Sequence, residues 1–114
     1  MVWRLQNMPS LSAFTASVDG QPVAFKVGYA VTSNRYYSWL GGVAPGHRRQ
    51  GHAQALMKLQ HDWVFSQGFD VIETEVLQDN HAMQMLNERS GFRAAGVRFD
   101  RDPARIIYRK VRET

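Results

Sequence analysis

Val43-Ala-Pro-Gly-His-Arg-Arg-Gln-Gly-His-Ala53 is the stretch on which the fold turns. Pro45 ends a β-prone run from Tyr36 to Val43, a Gly-bearing loop follows over Gly46–Gly51, and from Ala53 the chain is rich in helix formers. A strand that passes through a small-residue loop into a helix presents backbone N–H groups without intrahelical partners, where the macrodipole adds partial positive charge. Together these suit a pyrophosphate. Gly51 lets the backbone come close to such a ligand, Ala53 leaves room beside it, and Arg48 and Arg49 can reach phosphate oxygens. From Gly51 alone, a plain strand-to-helix turn is the better reading. The spacing is not G-x-G-x-x-G and no Gly-Lys-Ser/Thr follows, which sets aside two familiar phosphate loops.

Working outward, Val2, Leu5 and Met8 recur at helical spacing ahead of Pro9, so the ambiguous N-terminal segment reads as one helical turn. Ser12–Val18 and Val23–Thr32 flank Asp19-Gly20, a strong hairpin signal, and Ser33-Asn34 turns the chain into Tyr36–Val43. The front of the chain is thus an antiparallel meander. Gly41-Gly42 marks a bulge or a close backbone approach at its end. Downstream, a helix runs from Ala53 to Gly68 with Leu56, Leu59, Trp63 and Val64 as its apolar stripe. Val71–Leu77 is a strand. Asp79 or Asn80 caps a second helix that stops at Gly91, and Phe92–Phe99 and Arg105–Val111 close the chain as paired strands. The order β-β-β-α-β-α-β-β predicts an α/β fold of the mixed α+β kind, a mostly antiparallel sheet flanked by helices on its faces.

At 114 residues, 44% hydrophobic and 21% charged, the chain reads as one domain spanning 1–114. The absence of cysteine excludes disulfides, thiolate metal sites and cysteine nucleophiles. No run approaches the roughly 18 apolar residues of a membrane span, and the first nine residues lack a signal-peptide core, so no membrane partner and a cytoplasmic location are expected. His47 and His52 are five apart across a loop while His61 and His81 are distant, so no metal is expected. The net charge of +4 fits nucleic acid, an acidic surface or a small polyanion, but the cations are scattered apart from Arg48-Arg49 and a spread through Arg93–Arg112. A solvated basic surface is the plainer reading, and no nucleic-acid partner is expected. Trp3, Trp39 and Trp63 read as core, and Met83 and Met85 as packing.

Arg48-x-x-Gly51-x-Ala53, preceded by Val43-x-Pro45, resembles the coenzyme A loop of the GCN5-related N-acetyltransferases, Gln/Arg-x-x-Gly-x-Gly/Ala. A second motif strengthens this. Asn80-His-Ala-Met-Gln-Met-Leu86-Asn87-Glu88-Arg89-Ser-Gly91-Phe92 is similar to the family's Asn-x-x-Ala-x-x-Leu-Tyr-Glu-Lys-x-Gly-Phe, with Asn80, Leu86, Glu88, Gly91 and Phe92 in register. The resemblance covers roughly Ala24 to Val111.

The resemblance implies an acyl-CoA N-acyltransferase fold, acetyl-CoA as donor and a primary amine as acceptor, either a small polyamine-like or antibiotic amine or a protein amine. The fourth and fifth family strands splay apart around the cofactor. By that likeness Val43 pairs with the pantetheine arm, backbone from Arg49 through Gln50, Gly51 and His52 to Ala53 holds the pyrophosphate, Arg48 supports it, and Asn80 and Asn87 contact the cofactor. Gly41-Gly42 fits a bulge that frees an N–H for the thioester carbonyl. Glu75 falls where some members place a general base, although a solvated strand residue opposite a Lys or Arg reads as well. Tyr37 is a second catalytic candidate, although residues such as Tyr36 and Tyr37 are more often just β-formers.

Two departures bear on function. Asn87 stands where the family has its general-acid Tyr, and an amide cannot supply a proton at neutral pH. About eleven residues stand in for a strand and two helices that usually wall the acceptor site. That leaves a first meander strand at an exposed edge and an uncovered sheet face, and predicts a homodimer. The alternative is a non-catalytic acyl-CoA-binding sensor or partner subunit of the same fold.

Overall fold

The computed structural model describes residues 2–4, as backbone, and 11–113. Its seven strands form one sheet: β1 (Val2–Arg4), β2 (Leu11–Val18), β3 (Gln21–Ala30), β4 (Arg35–Val43), β5 (Val71–Leu77), β6 (Arg93–Arg98) and β7 (Arg105–Val111). They lie in the order β1-β2-β3-β4-β5-β7-β6. Helices α1 (His52–Ser66) and α2 (His81–Arg89) follow β4 and β5.

Local chemistry sets the front of the sheet. Asp19 and Gly20 both take positive φ, 51° and 80°, which makes the tight turn whose twist matches that of a two-stranded ribbon. The N-terminal expectation needs correction. Val2–Arg4 is a strand, not part of a helical turn, and it pairs with Phe14, Ala13 and Ser12, so that stretch of β2 is covered rather than an open edge. Leu5, Met8 and Pro9 lie outside the described residues.

Every strand pair is antiparallel except β4 with β5, which are parallel because α1 carries the chain across between them. Both helices pack on the same face of the sheet and leave the other open. There Met57 and Val64 of α1, with Met83 and Leu86 of α2, meet Tyr36, Ile72, Val76, Phe92 and Tyr108. The stripe on α1 is also rotated from the apolar one. Its buried residues are Leu56, Met57, Gln60, His61 and Val64, while Leu59 and Trp63 sit at its margin. Two polar side chains go under because partners wait there: Ser38 Oγ donates to Gln60 Oε1 at 2.8 Å, and Lys110 Nζ lies 3.0 Å from His61 Nδ1.

Candidate active site

The site begins where two neighbouring strands stop pairing. β4 and β5 are in register only at Arg35–Val71, Tyr36–Ile72 and Tyr37–Glu73, yet β4 continues to Val43 and β5 to Leu77. The last tie is the Thr74 hydroxyl, which donates to the Ser38 carbonyl at 2.7 Å. Beyond it the strands part and leave backbone groups facing a gap.

The bulge in β4 lies at the apex of this gap, but not at the glycines. Val27 pairs with Leu40 and Gly28 with Ser38, so Trp39 is the extra residue, while Gly41 and Gly42 pair regularly with Lys26 and Phe25. A bulged residue is left out of the ladder, with its polar groups free for another use. The glycines serve close approach instead. A Cβ on Gly42 would sit 2.9 Å from the Phe25 ring, and one on Gly41 would sit 3.1 Å from Cδ of Lys26.

At the mouth of the gap lies the loop into α1. Arg49 and Gly51 both adopt left-handed backbone, φ 64° and 84°, with the first uncommon for a residue that has a Cβ. No side chain caps α1, so its first N–H groups point outward, and nothing lies within 4 Å of where a Gly51 Cβ would be. A recess of about 380 Å³ here is lined by Val43, Arg48, Arg49, Gly51, His52 and Ala53, with His47, Gln54 and Leu86 completing it. Six of the nine expected cofactor residues therefore meet in one place. Gln50 sits behind them, its amide oxygen 3.2 Å from the His52 ring. Asn80 is engaged elsewhere: its side chain accepts from the Met83 N–H at 3.2 Å and caps α2. Asn87 is buried at 1% exposure, and its Nδ2 has no hydrogen-bond partner. A second recess of about 540 Å³ runs on from Gly51 past Lys58, Arg89 and Lys110. An uncapped helix N-terminus followed by cations fits a pyrophosphate with further anionic groups beyond it.

Glu75 and Tyr37 lie on the opposite, open face of the sheet. They share a cleft of about 540 Å³ with Tyr29, Trp39, Glu73 and five arginines. Glu75 pairs with Arg98 at 3.2 Å, so the expected cation opposite it is present. The Tyr37 hydroxyl is pushed up from its ordinary value by burial, then by the charge of Glu75 and by Tyr29, against the pull of Arg105 and Arg98. That shift favours the protonated hydroxyl, which can donate a hydrogen bond. Burial alone would raise the Glu73 carboxyl, but hydrogen bonds from Arg109 and Arg35 and their charges outweigh it and hold the group below the usual range. Arg109 makes two of these bonds, at 2.9 and 2.6 Å, and Arg35 a third.

Sequence reasoning passed over this arginine cluster by treating the cations of the C-terminal third as scattered. The signal was there: Arg105, Ile107 and Arg109 alternate with Ile106, Tyr108 and Lys110 at the period of a strand, which puts the first set on one face. Lys26 was also missed, a lone ammonium in an apolar run that ends 7% exposed on the helix face.

Comparison with known proteins agrees with this geometry. The pattern of the Acetyltransferase (GNAT) family matches residues 1–92, taking in the N-terminal segment and ending at Phe92. No curated protein matches the sequence. Among solved structures, the ribosomal-protein-S18-alanine N-acetyltransferase from Escherichia coli is 25% identical with a TM-score of 0.83, over 90% of this chain and 69% of that one. A GNAT family acetyltransferase from Elizabethkingia anophelis with acetyl-CoA bound superposes with a TM-score of 0.84 at 16% identity, over 93% and 79%. An aminoglycoside 6'-acetyltransferase type Ii gives 0.81 at 18%, over 93% and 73%. With its parted fourth and fifth strands and its uncapped anion loop, this chain belongs to the GCN5-related N-acetyltransferase family, whose members transfer acetyl groups from acetyl-CoA.

Proposed function

We propose that the chain acts as a single domain that acetylates a primary amine entering from the open face of the sheet, while acetyl-CoA enters from the α1 side. The parting of β4 from β5 beyond Tyr37 and Glu73 carries this reading, because it opens the only route by which two substrates on opposite faces can meet among the described strands. Val43 and the backbone of Arg48, Arg49, Gly51, His52 and Ala53 cradle the cofactor. Bound there, acetyl-CoA supplies an activated acetyl thioester.

The chain's own residues handle the protons. Glu75 takes the proton of the attacking amine on a carboxylate oxygen, while Arg98 holds that carboxylate in place. Asn87 has no proton to give, so the departing thiolate takes one from the Tyr37 hydroxyl or from water. Exposed Phe25, Trp39 and Leu40 on the open face, at 40%, 55% and 48%, support a homodimer that encloses part of the acceptor site. Light scattering should give about twice the 13.0 kDa chain mass. No helix among the described residues is long and apolar enough to cross a membrane.

A second reading, an acyl-CoA-binding subunit without catalysis, is favoured by the Glu75–Arg98 pair and the buried Asn87. Release of free thiol from acetyl-CoA in the presence of amines separates the two. An enzyme turns over, and Glu75→Gln cuts its rate roughly 10²–10⁴-fold, less at high pH where the amine is already neutral. A wild-type rate in Glu75→Gln removes the base assignment.

A further inference from the structure

The open-face cleft has a charge imbalance that bears on its acceptor. Arg35, Arg98, Arg101, Arg105 and Arg109 line it against Glu73, Glu75 and Asp100, five guanidinium groups to three carboxylates. Internal pairing does not use up the excess. Glu73 takes Arg35 and Arg109, and Glu75 takes Arg98. Arg101 and Arg105 form no ion pair with any described residue.

The strand register makes this cost visible. Arg98 and Arg105 are direct cross-strand partners on β6 and β7. Like charges directly opposite each other destabilise a sheet. Glu75, one strand over on the same face, answers Arg98 alone. Two cations thus flank the proposed base, with aromatic walls at Tyr29, Tyr37 and Trp39 on the other side. Such a site repels a polycation and attracts an amine that carries its own anion, since a guanidinium fork matches a carboxylate in two hydrogen bonds.

We infer that the acceptor is an amine bearing carboxylates a few bonds away, of the kind found at the amino terminus of an acidic peptide, held by Arg105 and Arg101 beside Glu75. This rests on the acetyl-transfer reading and narrows its substrate.

The test uses the full chain with acetyl-CoA and a set of short peptides with free amino termini. The peptides carry acidic, neutral or basic residues after the first, and spermidine and an aminoglycoside are included. Binding is read by anisotropy of C-terminally labelled peptide, and turnover by thiol release. Acidic peptides should bind and turn over at least about tenfold better than neutral ones, with spermidine and the aminoglycoside last. Arg105→Glu should invert the order while leaving acetyl-CoA affinity unchanged, and Arg105→Gln should flatten it if the charge reversal does not fold. Equal binding of acidic and basic peptides, or preference for the polycations, overturns the inference. So does an oligonucleotide that displaces the acidic peptide more tightly than the peptide binds. Selective binding of acidic peptides with no thiol release from any amine upholds recognition of the anion and defeats acetyl transfer instead.

Discussion

Adjacent residues on the same strands meet opposite fates. Tyr36, Ile72, Val76 and Tyr108 face the helices and are at most 5% exposed. Their neighbours Tyr37, Glu73, Glu75 and Arg109 face the other way and line a charged cleft. The strand period of two divides one set of backbones into a face that holds the fold and a face left for chemistry. The helix face is not wholly apolar, however. Lys26, Gln60, His61 and Asn87 are all buried there, and each strains the division in a way that can be measured.

Lys26 should show the largest effect. Burial lowers its pKa to about 8 from 10.5, and no hydrogen bond or ion pair to a described residue offsets that cost. The unfolded chain then binds more protons between pH 8 and 10.5, so stability rises with pH across that window and carries the full penalty below it. Lys26→Met keeps the aliphatic stem and should stabilise the protein by about 3 kcal/mol at pH 7, as read from urea midpoints. A destabilised variant would mean the ammonium has a use the packing does not show.

His61 comes next. Burial, then Lys110 and Lys26, lower its pKa to about 3, with Asp62 opposing them. Its neutral ring accepts from Lys110, stacks edge-on against Phe92 at 5.0 Å, and leaves Nε2 without a partner. Because the folded state resists protonation, stability falls as pH drops below 6.5. Over the two units down to pH 4.5 that amounts to roughly 2–3 kcal/mol, which His61→Phe should largely remove. Parallel pH curves for the two proteins would place the acid sensitivity elsewhere.

Gly28 tests the packing itself. A Cβ there would lie 2.5 Å from the Tyr36 ring and 2.7 Å from the Tyr37 carbonyl, at the point where the two faces separate. Gly28→Ala should cost about 1–3 kcal/mol by overpacking, visible as a lower melting temperature. An unchanged melting temperature would show that Tyr36 can move aside. The smallest effect belongs to the open face. Arg98→Ala breaks a pair whose arginine is half exposed and also relieves repulsion from Arg105, so stability should shift by less than about 1 kcal/mol.

What could be read in the sequence was what local chemistry decides. The Asp19-Gly20 turn, the Asn80 cap and the bounds of Val71–Leu77 and Arg105–Val111 follow from residues within a few positions of one another. The position of the bulge did not, because Trp39 is displaced by its register against Val27 and Gly28, ten or more residues away. The rotation of α1 was hidden for the same reason. Gln60 and His61 look like surface residues until Ser38 and Lys110 arrive from other strands. Of the site, the anion loop was legible because it is one contiguous turn, while the arginine cleft gathers residues from β4, β6, the turn after β6 and β7.

The measurement that bears most directly on the account is acetyl-CoA binding by Gly51→Val beside Gly68→Val, followed by calorimetry. Both glycines have positive φ, 84° and 98°, and both have open space around the missing Cβ. Each variant pays a similar backbone strain of about 1–2 kcal/mol, and circular dichroism should show both folded. Under the proposed placement of the cofactor, only Gly51 lies where the backbone must approach a pyrophosphate. We expect Gly68→Val to bind like the wild type and Gly51→Val to show no binding. Equal affinity in the two variants would contradict the placement of the cofactor, and with it the route by which donor and acceptor meet.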